Sequence, residues 1–207
     1  YWGTNKMANY NAIRYNVPYS DSAAGSLRLI KTLTASSDST LDFIDGTSDV
    51  VLDSTYKEYM FIFNNIHPAT DSVYLSFQGN AAGGSGFDET ITSSFFRAGH
   101  KEDGSDEFLS YDVSNDQGQG TGFQNITRNI GNGNDECGAG YLHLFNPSST
   151  TFVKHFIAKT HIYYSGDYSY KTCIGGYFNT TSAIDEIQFK MSSGDIDAGT
   201  IQLFGVL

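Results

Sequence analysis

The sequence is short of charge, shortest of basic charge, and has no long apolar run. Only 17% of its 207 residues are charged, against about 25% in an average globular chain. Twelve Lys and Arg face 23 Asp and Glu, a formal net charge of -11. No basic run occurs, which argues against a surface built to neutralise duplex phosphates. The longest uninterrupted apolar stretches are a few residues, such as Met60 to Phe63. None has the length of a bilayer-spanning helix. Tyr1 to Asn16 is polar and aromatic, without the apolar centre of a signal peptide. The two cysteines, Cys137 and Cys173, are too few for a disulfide framework. They also lack the Cys-x-x-Cys spacing of a zinc or redox site. A single bridge and two free thiols both remain open.

What the chain does have is Gly, hydroxyls, amides and aromatics: 22 Gly, 14 Tyr and 15 Phe. Aromatic richness argues against disorder. Short apolar segments recur between turn signals. Leu27, Leu29 and Leu33 alternate, as do Val73, Leu75 and Phe77, and Ile187, Phe189 and Met191. Tyr59 to Phe63 is rich in strand formers and ends at Asn64-Asn65-Ile66-His67-Pro68. Gly79 to Gly86 reads as a loop, and residues 99–122 as a long acidic surface excursion. Thr90 to Arg97 reads as a strand or a short helix. From Phe152 to Tyr164, a period of two puts Phe152, Phe156, Ala158, Ile162 and Tyr164 on one face. Helical periodicity is not sustained over a full helix length anywhere. The expected fold is all-β: one antiparallel β-sandwich of jelly-roll type over residues 26–207, preceded by an extended N-terminal arm, residues 1–25.

Catalytic patterns are missing. The five histidines, His67, His100, His143, His155 and His161, show no His-x-His or His-Glu-x-x-His spacing. His155 and His161 share a strand face but stand about 20 Å apart at strand rise. There is no Gly-x-Ser-x-Gly elbow, and the Gly-rich turns open no helix of Walker or Rossmann type. Adjacent carboxylates such as Asp185 and Glu186 say nothing about glycosidase spacing. No catalytic residue, metal ligand or cofactor is therefore expected. Calcium is the one cation to consider, at Asp195-Ile196-Asp197 and at Asp103 to Glu107. Turn chemistry already accounts for Asp195. Asn125-Ile-Thr and Asn179-Thr-Thr match a glycosylation acceptor pattern that an Asn- and Thr-rich chain produces by chance.

Aromatics carry the remaining signal. Tyr163, Tyr164, Tyr168 and Tyr170 lie within eight residues. Tyrosine offers large, rigid contact area at low entropic cost, suited to a sugar or a neighbouring subunit. Packing of strand-end tyrosines on the core accounts for the same cluster equally well. In the arm, Trp2, Tyr10, Tyr15 and Tyr19 are poor choices for a solvated tail, so the arm is expected to contact a partner subunit. In the last strand, Ile201 and Leu203 share one parity, and Phe204 and Val206 the other. If the first pair faces the core, Phe204 faces outward and needs a covering layer, either the arm or another subunit.

Several phrases resemble structural proteins of marine tailed phages: Leu29-Ile30-Lys31-Thr32-Leu33-Thr34-Ala35, Phe63-Asn64-Asn65-Ile66-His67-Pro68, Leu144-Phe145-Asn146-Pro147, and the closing Gly199-Thr200-Ile201-Gln202-Leu203-Phe204-Gly205. The likeness covers about residues 27–207 and carries no catalytic residues. It implies a non-enzymatic virion structural protein, a capsid-decorating or tail-fibre-like appendage subunit on the particle surface. Its implied partners are copies of itself, with a trimer the first expectation, and other virion proteins. Direct contact with nucleic acid and a membrane span are not expected. The alternative is a lectin-like domain binding a receptor or a host surface glycan.

Overall fold

The computed structural model describes residues 26–207. They form thirteen strands: β1 (Leu27–Thr34), β2 (Leu41–Ile44), β3 (Glu58–Pro68), β4 (Leu75–Ala81), β5 (Ile91–Lys101), β6 (Glu107–Tyr111), β7 (Gly118–Gly120), β8 (Gln124–Asn125), β9 (Gly138–Phe145), β10 (Lys154–Tyr164), β11 (Tyr168–Phe178), β12 (Ile184–Met191) and β13 (Ile196–Val206). The large sheet has nine strands, in the order β1-β13-β3-β9-β10-β11-β5-β6, with β7 also on β5. The small sheet has four, in the order β2-β12-β4-β8. All pairings between named strands are antiparallel. The antiparallel sandwich expected from the alternating segments is present. A jelly roll divides eight strands between two sheets; here the strands divide nine to four, so the fold is described by its strand order.

The small sheet packs on one face of the large one through phenylalanines. Phe189 of β12 meets Phe61 and Phe63 of β3 edge-on at 5.2 and 5.4 Å between centroids. Phe77 of β4 meets Phe156 of β10 at 5.1 Å, nearly perpendicular. Such edge-to-face pairs add about 0.5–1.5 kcal/mol each beyond area burial. Every residue of β4 is buried. The expected loop from Gly79 is therefore corrected: the strand runs on to Ala81. Gly79 permits this, because a Cβ there would lie 3.0 Å from the Phe178 ring.

Of the two readings of Thr90 to Arg97, strand or short helix, the strand is observed, as part of the long β5. The acidic stretch differs from its expected loop. The acidic excursion contains an edge strand, β6, and the short β7. Buried amides tie this region down: Gln124 Nε2 donates to Asn115 O at 2.8 Å, and Gln78 Nε2 to Gly122 O at 2.9 Å. Phe152 does not join the inner face of β10. That strand starts at Lys154, and Phe152 is 70% exposed in the preceding turn.

Lys154 takes an inward position instead and is fully buried. Its ammonium donates to Phe152 O at 2.7 Å and Thr180 O at 3.1 Å. Two backbone acceptors thereby find a donor in a place closed to water. Burial lowers its pKa from the usual lysine value. Thr160 and Thr172 both donate to the Ile126 carbonyl, at 2.8 and 2.7 Å.

Candidate functional site

The four-stranded sheet covers only the inner face of the nine-stranded one. The outer face is built by the alternate residues, and the pairing registers place them in rows. One row runs Leu29, Phe204, Met60, His143, Ile157. The next runs Gln202, Ile62, Tyr141, Lys159, Cys173, Phe96, Tyr111. Leu27 and Val206 pair beside the first row, and Ala98 and Leu109 beside the second.

These rows carry apolar side chains at both ends of the sheet. At the β1-β13 end, Leu29 is 51% exposed, and Phe204 and Val206 are half-buried. At the β6 end, Leu109 is 80% exposed, and Phe96 meets Tyr111 edge-on at 5.1 Å. The parity expected of the last strand is observed: Ile201 and Leu203 are fully buried and Phe204 is not. β13 lies inside its sheet, between β1 and β3. Among the described residues, the residue across from Phe204 on one side is Leu29 and on the other Met60.

The middle of the face is different. His143 Nδ1 is hydrogen-bonded to Glu58 Oε1, and the His143 ring lies between Tyr141 and Phe145. Lys159, His161 and Lys171 are exposed around a shallow groove of about 440 Å³. His161 Nε2 lies 2.9 Å from Ser169 Oγ.

The tyrosine cluster does not form one patch. β10 and β11 join through Ser165-Gly166-Asp167, with Asp167 at φ 63° and its N–H donating to Tyr164 O at 3.0 Å. This three-residue hairpin loop pairs Tyr164 with Tyr168, so both point inward with Tyr170. Tyr163 points to the opposite face. Tyr164 and Tyr170 stack at 5.3 Å, and Tyr168 meets Tyr164 at 5.6 Å. Phe108 and Arg97 complete a notch of about 130 Å³, below the roughly 300 Å³ at which small-molecule pockets begin. Arg97 Nη1 donates to Tyr170 Oη at 2.9 Å, and its Nε lies 3.4 Å from Asp112 Oδ2. Arg128 Nη1 donates to the same oxygen at 2.8 Å. Inward tyrosines thus close the end of the sandwich that the small sheet does not reach.

Tyr163, on the outer side, has burial of its hydroxyl and the carboxylates of Glu102 and Asp167 raising its pKa to about 12. Tyr168 Oη donates to Asp106 Oδ2 at 2.8 Å, and that bond raises its pKa. Trp2, Tyr10, Tyr15 and Tyr19 lie outside the described residues. Of the seven aromatic contacts expected from the sequence, Tyr163 and Phe204 lie on the outer face and Tyr168 does not. The registers add Ile62, Phe96, Leu109, Tyr111 and Tyr141, whose placement no local pattern encodes.

The acidic turns considered for calcium are engaged internally. Asp103 accepts from the Ser105 N–H at 2.8 Å and pairs with Lys101 at 3.1 Å. Its bond to Ser105, then that to Lys101, holds its pKa down at about 2. Asp197 accepts from Ser37 Oγ at 2.9 Å. Among the described residues, no group of three His, Cys, Asp or Glu is placed to hold a metal ion. Cys137 and Cys173 are free thiols. No helix among the described residues is long and apolar enough to cross a membrane.

Fold and face together define an antiparallel β-sandwich with one sheet face left uncovered among the described residues. Comparison with protein-family models, with curated proteins and with solved structures finds no match to the chain.

Proposed function

We propose that the chain is a non-enzymatic structural subunit of a virion, a capsid-decorating or appendage protein that assembles with copies of itself. The observation that carries this reading is the apolar outer face at the β1-β13 end, where Leu27, Leu29, Phe204 and Val206 stand together. An apolar sheet face of this kind is costly against water and marks an interaction surface. A second copy of the chain is the occupant, because homo-oligomers dominate soluble assemblies and an apolar patch can pack against the same patch of its own copy.

The virion location rests on the likeness of the closing segment, Gly199 to Gly205, to phage structural proteins. The net charge of -11 suits a surface subunit kept soluble and away from packaged nucleic acid. Antibodies raised against the purified chain test the location by immuno-electron microscopy of phage particles from a host producing it. Labelling of capsid or tail is the expected result. Label confined to host cell debris overturns it.

A further inference from the structure

We infer that the outward strip of β9, β10 and β11 is a binding site for an acidic polysaccharide, carboxylated or sulfated. The chain has almost twice as many acidic as basic residues, yet these three neighbouring strands contain no Asp or Glu. Their outward positions carry Lys159, Lys171 and His161 around the shallow groove, which Tyr141, Ala139 and Gly140 also line. Lys171 pairs directly with His161, and Lys159 with Cys173. The two lysines are therefore diagonal neighbours, about 7–8 Å apart at the backbone. Among the described residues, neither has a carboxylate within ion-pair distance. Like charges left together without a counter-charge repel, and an anion lying between them relieves that repulsion.

The groove's shape selects the class of anion. It is shallow and open to solvent, so a chain longer than the groove can lie across it without being enclosed. Tyr141 offers an amphipathic aromatic surface for a sugar ring, with a hydroxyl at its tip. Two lysines are few for a duplex, which demands several phosphate contacts, and the net charge opposes one. Ala139 and Gly140 add no long side chain to the lining, and the ammonium groups meet carboxylates or sulfates carried along the chain. The inference goes beyond the assembly reading and uses different residues: the strip lies in the middle of the sheet, the proposed subunit contact at its β1 edge.

Affinity electrophoresis of the full chain through gels containing dextran sulfate or polygalacturonate tests it, with neutral dextran and polyglutamate as comparisons. Retardation by either acidic polysaccharide, and by neither comparison polymer, is expected. The double variant Lys159→Glu/Lys171→Glu should bind about tenfold more weakly, while Lys57→Glu, outside the strip, should bind as wild type. Lys159→Gln/Lys171→Gln repeats the test without charge reversal. No retardation by either polysaccharide overturns the inference. So does equal loss in Lys57→Glu, which means a general charge effect, and so does equal retardation by polyglutamate, which means an acidic polypeptide partner. Sedimentation of the double variant reads assembly separately, and is expected to match wild type whichever way the binding result falls.

Discussion

The ring of Tyr56 lies flat against Gly205, so close that a Cβ at Gly205 would overlap it. Tyr56 is buried and meets Tyr59 edge-on at 5.6 Å. The closing strand thus turns a bare backbone to the core at Gly205 and full side chains outward at Phe204 and Val206. Gly205→Ala should cost about 1–3 kcal/mol through forced movement of the Tyr56 ring. Thermal unfolding checks this; an unchanged melting temperature would mean the ring can step aside.

Lys154 gives a pH-dependent prediction. Its folded-state pKa is lowered by burial, so the native state holds fewer protons than the unfolded chain between the two pKa values. Stability from this group therefore rises with pH through that window. The penalty is fully present below the folded pKa and is relieved as pH passes the ordinary lysine value, about 10.4. Lys154→Met removes the titration and keeps the packed stem. The stability difference between wild type and Lys154→Met should shift toward wild type as pH rises from 7 to 10. A flat difference in paired urea melts would contradict this. Lys154→Ala, which also opens a cavity and strands two carbonyls, should cost about 2–5 kcal/mol.

Asp112 is buried between Arg97 and Arg128 and also accepts from Asn115 Nδ2 at 3.1 Å. It anchors β6 and the following loop to the end of the sandwich. Both arginines are partly exposed, so water takes over some of their charge when the partner is lost. Asp112→Ala should accordingly cost about 2–3 kcal/mol, below the upper range for a fully buried pair. Hydrogen exchange of β6 amides should quicken more than that of β9. Uniform change across both strands would place the effect in global stability alone.

The strands were largely legible because one face of each is buried. β10 shows its inward residues Phe156, Ala158 and Ile162 by alternation alone. The pattern failed where a polar residue took an inward place, as Lys154 does, because its donors are used by backbone carbonyls. It failed again at Gly79 to Ala81, where close approach of Phe178 selects glycine inside a strand. β6 was hidden because Leu109 and Tyr111 face outward, so nothing separates it from the acidic loops around it. The tyrosine cluster was visible, but its division between two faces depends on the length of the Ser165 to Asp167 loop. The outer face itself depends on pairing registers between strands far apart in sequence, and a single chain carries no local mark of those.

The central claim is that Phe204 and Leu29 belong to a contact between copies of the chain. Sedimentation velocity across a concentration series, for wild type and for Phe204→Ser/Leu29→Ser, tests it most directly when paired with thermal melts in conditions where both are monomeric. Wild type is predicted to sediment as an oligomer, and the variant as a monomer with an unchanged monomer melting temperature. A wild-type chain that stays monomeric throughout, or a variant that keeps the oligomer, would contradict the account. A variant whose monomer melting temperature collapses would do the same, by assigning the two side chains to the domain's own core.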